Sequence, residues 1–201
     1  LSDDGTYVAV GNPNYKDPDT GLIIGAIYVY ANVNQSFTVP SGWQLIHTFY
    51  GYPEKNELLG LDGSFDIGGL RRIYENGNIY RQEVVRLAIR NKALGHAYVF
   101  ELDLSDYSWD LVGEKVDANG ARYSFDCGVG IEAISISLSG NQIVCSQNAD
   151  KNDDGFDDAA FKVAFYDEVT DEWVDSTAKF LSPNNDRSEV SLLAENNVAT
   201  S

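Results

Sequence analysis

Three tryptophans, Trp43, Trp109 and Trp173, stand 66 and 64 residues apart, and each follows a short aromatic strand by a similar margin. A recurrence this long constrains the chain more than any single motif does. It describes about three copies of one β-unit, each too small to bury its own apolar face and therefore stabilised by its neighbours.

Period-2 alternation and turn residues lay out each unit. The first opens with the turn Ser2-Asp3-Asp4-Gly5 and the strand Tyr7 to Gly11. A polar loop from Asn12 to Gly21 leads to Ile27-Tyr28-Val29-Tyr30 and then to Trp43-Gln44-Leu45-Ile46-His47. In the third unit Ile134 to Leu138, the turn Ser139-Gly140-Asn141 and the strand Gln142 to Cys145 precede Val163-Ala164-Phe165-Tyr166 and Trp173. The middle unit has Val85 to Ile89, His96 to Phe100 and Trp109, with an irregular opening in which Glu75-Asn76-Gly77-Asn78 makes an extra or extended hairpin. Alternation places Ile27 and Val29, Ala97 and Val99, and Val163 and Phe165 on one face, with Tyr30, Phe100 and Tyr166 on the other. Stacked sheets would bury both faces.

A second marker recurs every 60 residues: Ser64-Phe65-Asp66, Ser124-Phe125-Asp126, then Asp186. These are expected to be turns that carry the chain from one sheet to the next, with Asp capping its own backbone. The approximate units are 1–63, 64–123 and 124–187, with a further unit starting at 188–201. The expected fold is all-β: a propeller-like array of about three four-stranded antiparallel blades. Closed propellers have about four to eight blades, so the chain reads as a segment of a larger propeller or of a longer polypeptide.

Composition narrows the partners. With 31 acidic against 14 basic residues the net charge is −17, a surface that repels phosphate backbones and anionic lipid. Nucleic acid is not an expected partner. No stretch approaches the roughly 20 apolar residues of a membrane helix, and membrane insertion is not expected. Cys127 and Cys145 are the only cysteines. They form a disulfide if the strand carrying Cys145 folds back beside the Cys127 segment; buried free thiols are the alternative. Asn34-Gln35-Ser36 is a glycosylation sequon at Asn34, which matters if the protein is secreted.

The sharpest local motif runs from Asp150 to Asp158. Asp150, Asn152 and Asp154 offer side-chain oxygens at alternate positions, Gly155 turns the loop, Phe156 offers its carbonyl and Asp158 a carboxylate. That pattern wraps one hard cation, here calcium. Position twelve is Phe161 and not Glu, so this is not an EF-hand. The first unit's loop, Asn12 to Asp19, holds some ligand types but two prolines, and the middle unit's Arg90-Asn91-Lys92 suits no cation.

Catalytic arrangements are poor. His47 and His96 lie on or beside different strands without a ligand pattern, and Cys127 has no histidine nearby in sequence. Carboxylates are too many for their pairing to carry information. Gly68-Gly69 and Gly128-Val129-Gly130 precede strands, where a phosphate cradle would precede a helix.

The runs Leu1 to Asn14, then Gly25-Ala26-Ile27-Tyr28-Val29-Tyr30, then Trp43, resemble β-propeller repeats of the integrin-alpha/FG-GAP kind, once per unit over nearly the whole chain. Arg90 and Ser146 depart from that pattern, standing where the first unit has Gly11. The resemblance implies four-stranded blades, extracellular or cell-surface placement, calcium-bearing loops and adhesion or scaffolding. The function expected is a non-enzymatic structural or adhesive module that binds other protein chains or itself through exposed blade edges. A glycan-binding propeller is the alternative, suggested by the abundant Tyr and Trp, with a glycoside-acting hydrolase the weaker one.

Overall fold

The computed structural model describes residues 1–2, 5–32, 42–51, 59–60, 63–68, 71–75, 78–82, 84–92, 94–128, 131–137, 139–149, 158–176 and 180–181. Among these the secondary structure is all β, in several antiparallel sheets, none of them closed. In chain order, β1 (Tyr7–Asn12), β2 (Ala26–Asn32) and β3 (Trp43–Tyr50) form sheet I in the order β1-β2-β3. Next come β4 (Phe65–Gly68), β5 (Arg71–Glu75), β6 (Asn78–Gln82), β7 (Arg86–Asn91), β8 (His96–Leu102) and β9 (Trp109–Leu111). They are followed by β10 (Lys115–Val116), β11 (Arg122–Tyr123) and β12 (Phe125–Asp126). Sheet II is β4-β7-β8, with the far edge of β8 shared by β9 and β12. Hairpins β5-β6 and β10-β11 stand apart as two-stranded sheets.

Sheet III repeats that plan. It contains β13 (Ile131–Ile136), β14 (Gln142–Ala149) and β15 (Asp158–Asp167), with the far edge of β15 shared by β16 (Glu172–Asp175) and β17 (Phe180–Leu181). Each tryptophan pairs with the strand before it: Trp43 with Asn32, Trp109 with Leu102 and Trp173 with Tyr166. Turn chemistry sets the tight connections. Gly140 takes φ 71°, a conformation costly for other residues, and its N–H closes onto the Ser137 carbonyl at 2.8 Å.

The sheets stack in the order I, II, III. Tyr7, Ile27, Val29 and Ala31 of sheet I pack on Ile67, Leu87, Ile89 and Leu102 of sheet II. The opposite face of sheet II, Ala88, Ala97 and Val99, packs on Ile134, Ile136, Ile143, Cys145, Ala164 and Trp173 of sheet III. Neighbouring residues Leu87 and Ala88 thus belong to different cores. That is why β7 is buried at every position and reads as an unbroken apolar run flanked by arginines.

The face assignment from alternation has one consequence that differs from expectation. Phe165 and Val163 share a face, but that face turns away from sheet II, and Phe165 is 43% exposed while Ala164 is fully buried. Burial of both faces therefore holds for sheet II and only in part for the outer face of sheet III, where Ser135 and Ser146 are buried but Phe165 and Val174 are exposed. The 60-residue marker also falls on non-equivalent places. Phe65-Asp66 lies in β4, on one edge of sheet II, and Phe125-Asp126 in β12, on the other. Asp126 Oδ1 accepts the Gly128 N–H at 2.8 Å, as a turn cap should. Asp186 lies outside the described residues.

Candidate functional site

The stretch expected to hold a cation follows the longest strand pairing among the described residues. β14 and β15 pair continuously from Gln142↔Phe165 to Ala149↔Asp158, so residues 150–157 connect the two strands beyond that last pair. Asp158 is the first residue of β15. Asp150, Asn152, Asp154 and Phe156 lie outside the described residues, as does Asn34. Among the described residues no cluster of three or more His, Cys, Asp or Glu is arranged to hold a metal.

The first unit's loop spends its oxygens internally. Asp17 accepts the Thr20 hydroxyl at 2.6 Å and the Asp19 N–H at 3.1 Å, and Asn12 Oδ1 accepts the Asn14 N–H at 3.2 Å. At the β7–β8 turn, Asn91 Oδ1 accepts the Leu94 N–H at 3.0 Å.

Cys127 and Cys145 are bonded to each other at 2.02 Å, and no free thiol is left. Cys127 follows β12 of sheet II and Cys145 sits in β14 of sheet III, so the bond joins two sheets inside their shared core. A thiol nucleophile is absent for that reason.

Polar side chains also tie sheet II to sheet III; the sequence marks Asp66 as a turn residue and Arg90 as a departure from the repeat, and neither reading points to this role. Asp66 Oδ2 accepts the Ser135 hydroxyl at 2.7 Å and the Ile136 N–H at 3.0 Å. The buried Arg86 donates to the Gly140 carbonyl at 2.9 Å and to Asn141 Oδ1 at 2.8 Å, while pairing with Glu101 of its own sheet. Its guanidinium also lies 4.2 Å from the centre of the Tyr166 ring. Arg90 Nη1 donates to the Ile131 carbonyl at 2.8 Å, and the Ser146 hydroxyl accepts the Ala133 N–H at 2.9 Å within sheet III. Both departures from Gly11 are thus put to use. Gly11 itself lies under Gly60, whose carbonyl oxygen would be 2.3 Å from a Cβ at that position. Trp173 completes the seam, donating its indole N–H to the Val112 carbonyl at 3.2 Å.

The seam between sheets I and II holds a cleft of about 670 Å³. His47, Phe49 and Tyr50 line it from β3, and Ile89, Tyr98, Phe100 and Leu111 from sheet II. Gly120, Ala121 and Arg122 of the β10–β11 hairpin close one side. Phe49 packs against Phe100 at 5.0 Å and edge-on to Trp109 at 5.5 Å between ring centres. His47 lies 4.5 Å from the Phe49 ring centre, and burial pushes its imidazole below its ordinary value, leaving it neutral at pH 7. His96 does not line the cleft; it is buried and stacked on Tyr123 at 4.1 Å. The two histidines do not come together. A cleft of this size, mainly apolar with few polar groups, suits binding more than proton transfer.

Several titrations bear on stability. Hydrogen bonds from Thr20, Ser105 and Ala121 hold the carboxyls of Asp17, Asp103 and Asp117 below the usual range. Groups lowered in the folded state favour folding above their unfolded pKa and stop doing so as pH falls through the lowered value. The lowered His47 acts in the same sense from about pH 6.5 downward. Tyr166 is pushed up to about 12, first by burial and then by its hydrogen bond to Asp171, so its contribution holds below about pH 10 and fades towards 12. Urea midpoints measured across pH should therefore be highest between about 7 and 9 and fall on both sides. A midpoint at pH 3 equal to that at pH 8 would contradict these assignments.

No protein-family model matches the chain, and no curated protein matches it. Among solved structures it is similar to a protein of unknown function from Bacteroides fragilis NCTC 9343, at 11% identity over 90% of this chain and 95% of that one. The TM-score is 0.29, a likeness that carries no conclusion about fold or function.

Proposed function

We propose that the chain is a stretch of a β-propeller-like array of about three blades, resembling integrin-alpha/FG-GAP repeats, and that it serves as a non-enzymatic extracellular structural or adhesive module. The observation that carries this reading is the serial stacking of three sheets. Each bears its tryptophan on the strand after its long aromatic one, and sheets II and III have the same four-position plan with a split outer strand. A scaffold of this kind presents loops and strand edges to partners. Among the described residues β1 stands at the edge of sheet I, beside β2. The intersheet disulfide suits an oxidising compartment.

In this reading the loop 150–158 binds one calcium ion through Asp150, Asn152, Asp154, the Phe156 carbonyl and Asp158. Saturating calcium at a hundred times its dissociation constant adds about 2.7 kcal/mol. Melting should then occur several degrees higher in millimolar calcium than in chelator. An unchanged midpoint removes the calcium site. Microspheres coated with the protein should clump in calcium and disperse in chelator; coated spheres that stay dispersed in both would remove the adhesive role.

A glycan-binding role is favoured by one feature, the cleft lined by Phe49, Tyr50, Tyr98 and Phe100, whose ring faces suit sugar stacking. Glycan-array binding that survives Asp154→Ala and is lost on Phe49→Ala would support it over the adhesive role.

A further inference from the structure

The two ends of the stack expose apolar faces. On sheet I, Val8 and Val10 pair with Tyr30 and Tyr28, and Leu45 pairs with Tyr30, which puts all five on the face turned away from sheet II. Val10 is 46% and Leu45 47% exposed. On sheet III, Val144 pairs with Val163 and Phe165 with Val174, all on the face turned away from sheet II. Phe165 is 43% and Val174 49% exposed. Contiguous apolar patches of this kind mark interaction surfaces.

These two faces are not alike; each is the counterpart of the other. Sheet III exposes the parity that carries Ile27 and Val29 in sheet I and Ala97 and Val99 in sheet II, the face that a following sheet covers. Sheet I exposes the parity that carries Phe100 and Leu102 in sheet II and Ala164 and Tyr166 in sheet III, the face that a preceding sheet covers. We propose that the outer face of sheet III in one copy docks on the outer face of sheet I in a second copy, head to tail, continuing the two seams inside the chain. The proposal rests on the serial-array reading above and adds the partner, a second copy, and the residues that meet it.

Area decides the number of copies. Three or four strands about 4.8 Å apart and about 20 Å long give a face of roughly 300–400 Å². One contact buries two such faces, roughly 700 Å², which falls short of a stable interface of about 1,200–2,000 Å². Two copies that close on each other make both contacts at once and reach roughly 1,400 Å², within that range. Head-to-tail contacts generate closed rings where the rotation allows and open fibres where it does not. The area favours the closed pair, with six sheets in all.

Light scattering of the 201-residue chain at micromolar concentration tests this. The expected mass is twice 22.1 kDa. Val10→Lys and Phe165→Glu, both at exposed positions, should each give a monomer, and mixing the two variants should restore a dimer containing one of each. That restoration follows because the mixed pair has one unaltered seam and one Lys–Glu seam. A wild-type monomer, a dimer that resists both substitutions, or a dimer lost in only one variant would overturn the proposal; the last result would mean a like-with-like contact. Proton NMR of the same samples separates this failure from that of the underlying reading. Contacts between the Phe49 and Phe100 rings, 5.0 Å apart, persist in a monomer whose sheets are stacked and vanish if the stacking itself is wrong.

Discussion

Replacing Trp173 with Ala should cost about 3–5 kcal/mol, the range for removing a large buried aromatic side chain. For a chain of this size that lowers the melting midpoint by roughly 6–20 °C. Trp173 is 1% exposed, shares one apolar core with Ala164, Ile143 and Cys145 of its own sheet, and meets the segment that follows β9 at Val112 and Gly113. Gly113 takes φ 63°, and a Cβ there would stand 2.6 Å from Trp173 Cδ1, so the seam is shaped around the indole. Trp43 is the informative control. It is half-buried at the start of β3, and Trp43→Ala should cost clearly less. Equal losses at the two positions, measured by urea denaturation, would refute the assignment of Trp173 to an intersheet core.

The second large effect concerns the disulfide. Cys127 and Cys145 are 18 residues apart. Closing a loop of that length is worth about 3 kcal/mol in the chain-entropy view. The double variant Cys127→Ser, Cys145→Ser should lose at least that amount, because both side chains are fully buried in the seam and serine brings two hydroxyls into an apolar core. The double variant to Ala keeps the apolar character and should lose less than the Ser variant. Unchanged stability of the Ser variant in non-reducing buffer would show that the cysteines do not bridge sheets II and III.

Much of the strand content was legible because it rests on local rules. Period-2 alternation and the turns at Gly5 and Ser139-Gly140 mark β1, β2, β13 and β14, and the Asn-Gly pair marks the β5–β6 hairpin. The stretch Val85 to Ile89 anticipated β7, which runs two residues further, through Arg90 and Asn91. What stayed hidden depends on packing. β12 and β17 are two-residue strands with no periodicity to read; they exist because the outer edges of β8 and β15 offer unpaired backbone groups. Arg86 and Arg90 look like surface residues in sequence, yet both are buried, each donating from Nη1 to a backbone carbonyl of the next unit, Gly140 for Arg86 and Ile131 for Arg90. Asp66 looked like a turn cap and instead bridges two sheets, which only the placement of β13 beside β4 can reveal.

The cleft between sheets I and II was equally invisible. Its walls come from β3, three strands of sheet II and the β10–β11 hairpin, far apart in sequence. His47, Tyr98 and Phe100 stand out in sequence only as members of separate strands, and nothing there singles out Phe49 or Tyr50. Distance in the chain hides such sites from pattern reading, whereas the stacking of sheets brings them together.

Amide hydrogen exchange tests the stacked arrangement most directly. β7 is flanked by β4 and β8 and buried by sheet I on one face and sheet III on the other, so its amides should be the slowest in the protein, opening only with global unfolding. β1, at the edge of sheet I among the described residues and with Val10 exposed, should exchange much faster. Amides of Leu87, Ala88 and Ile89 that exchange as fast as those of Val8 and Val10 would contradict the account.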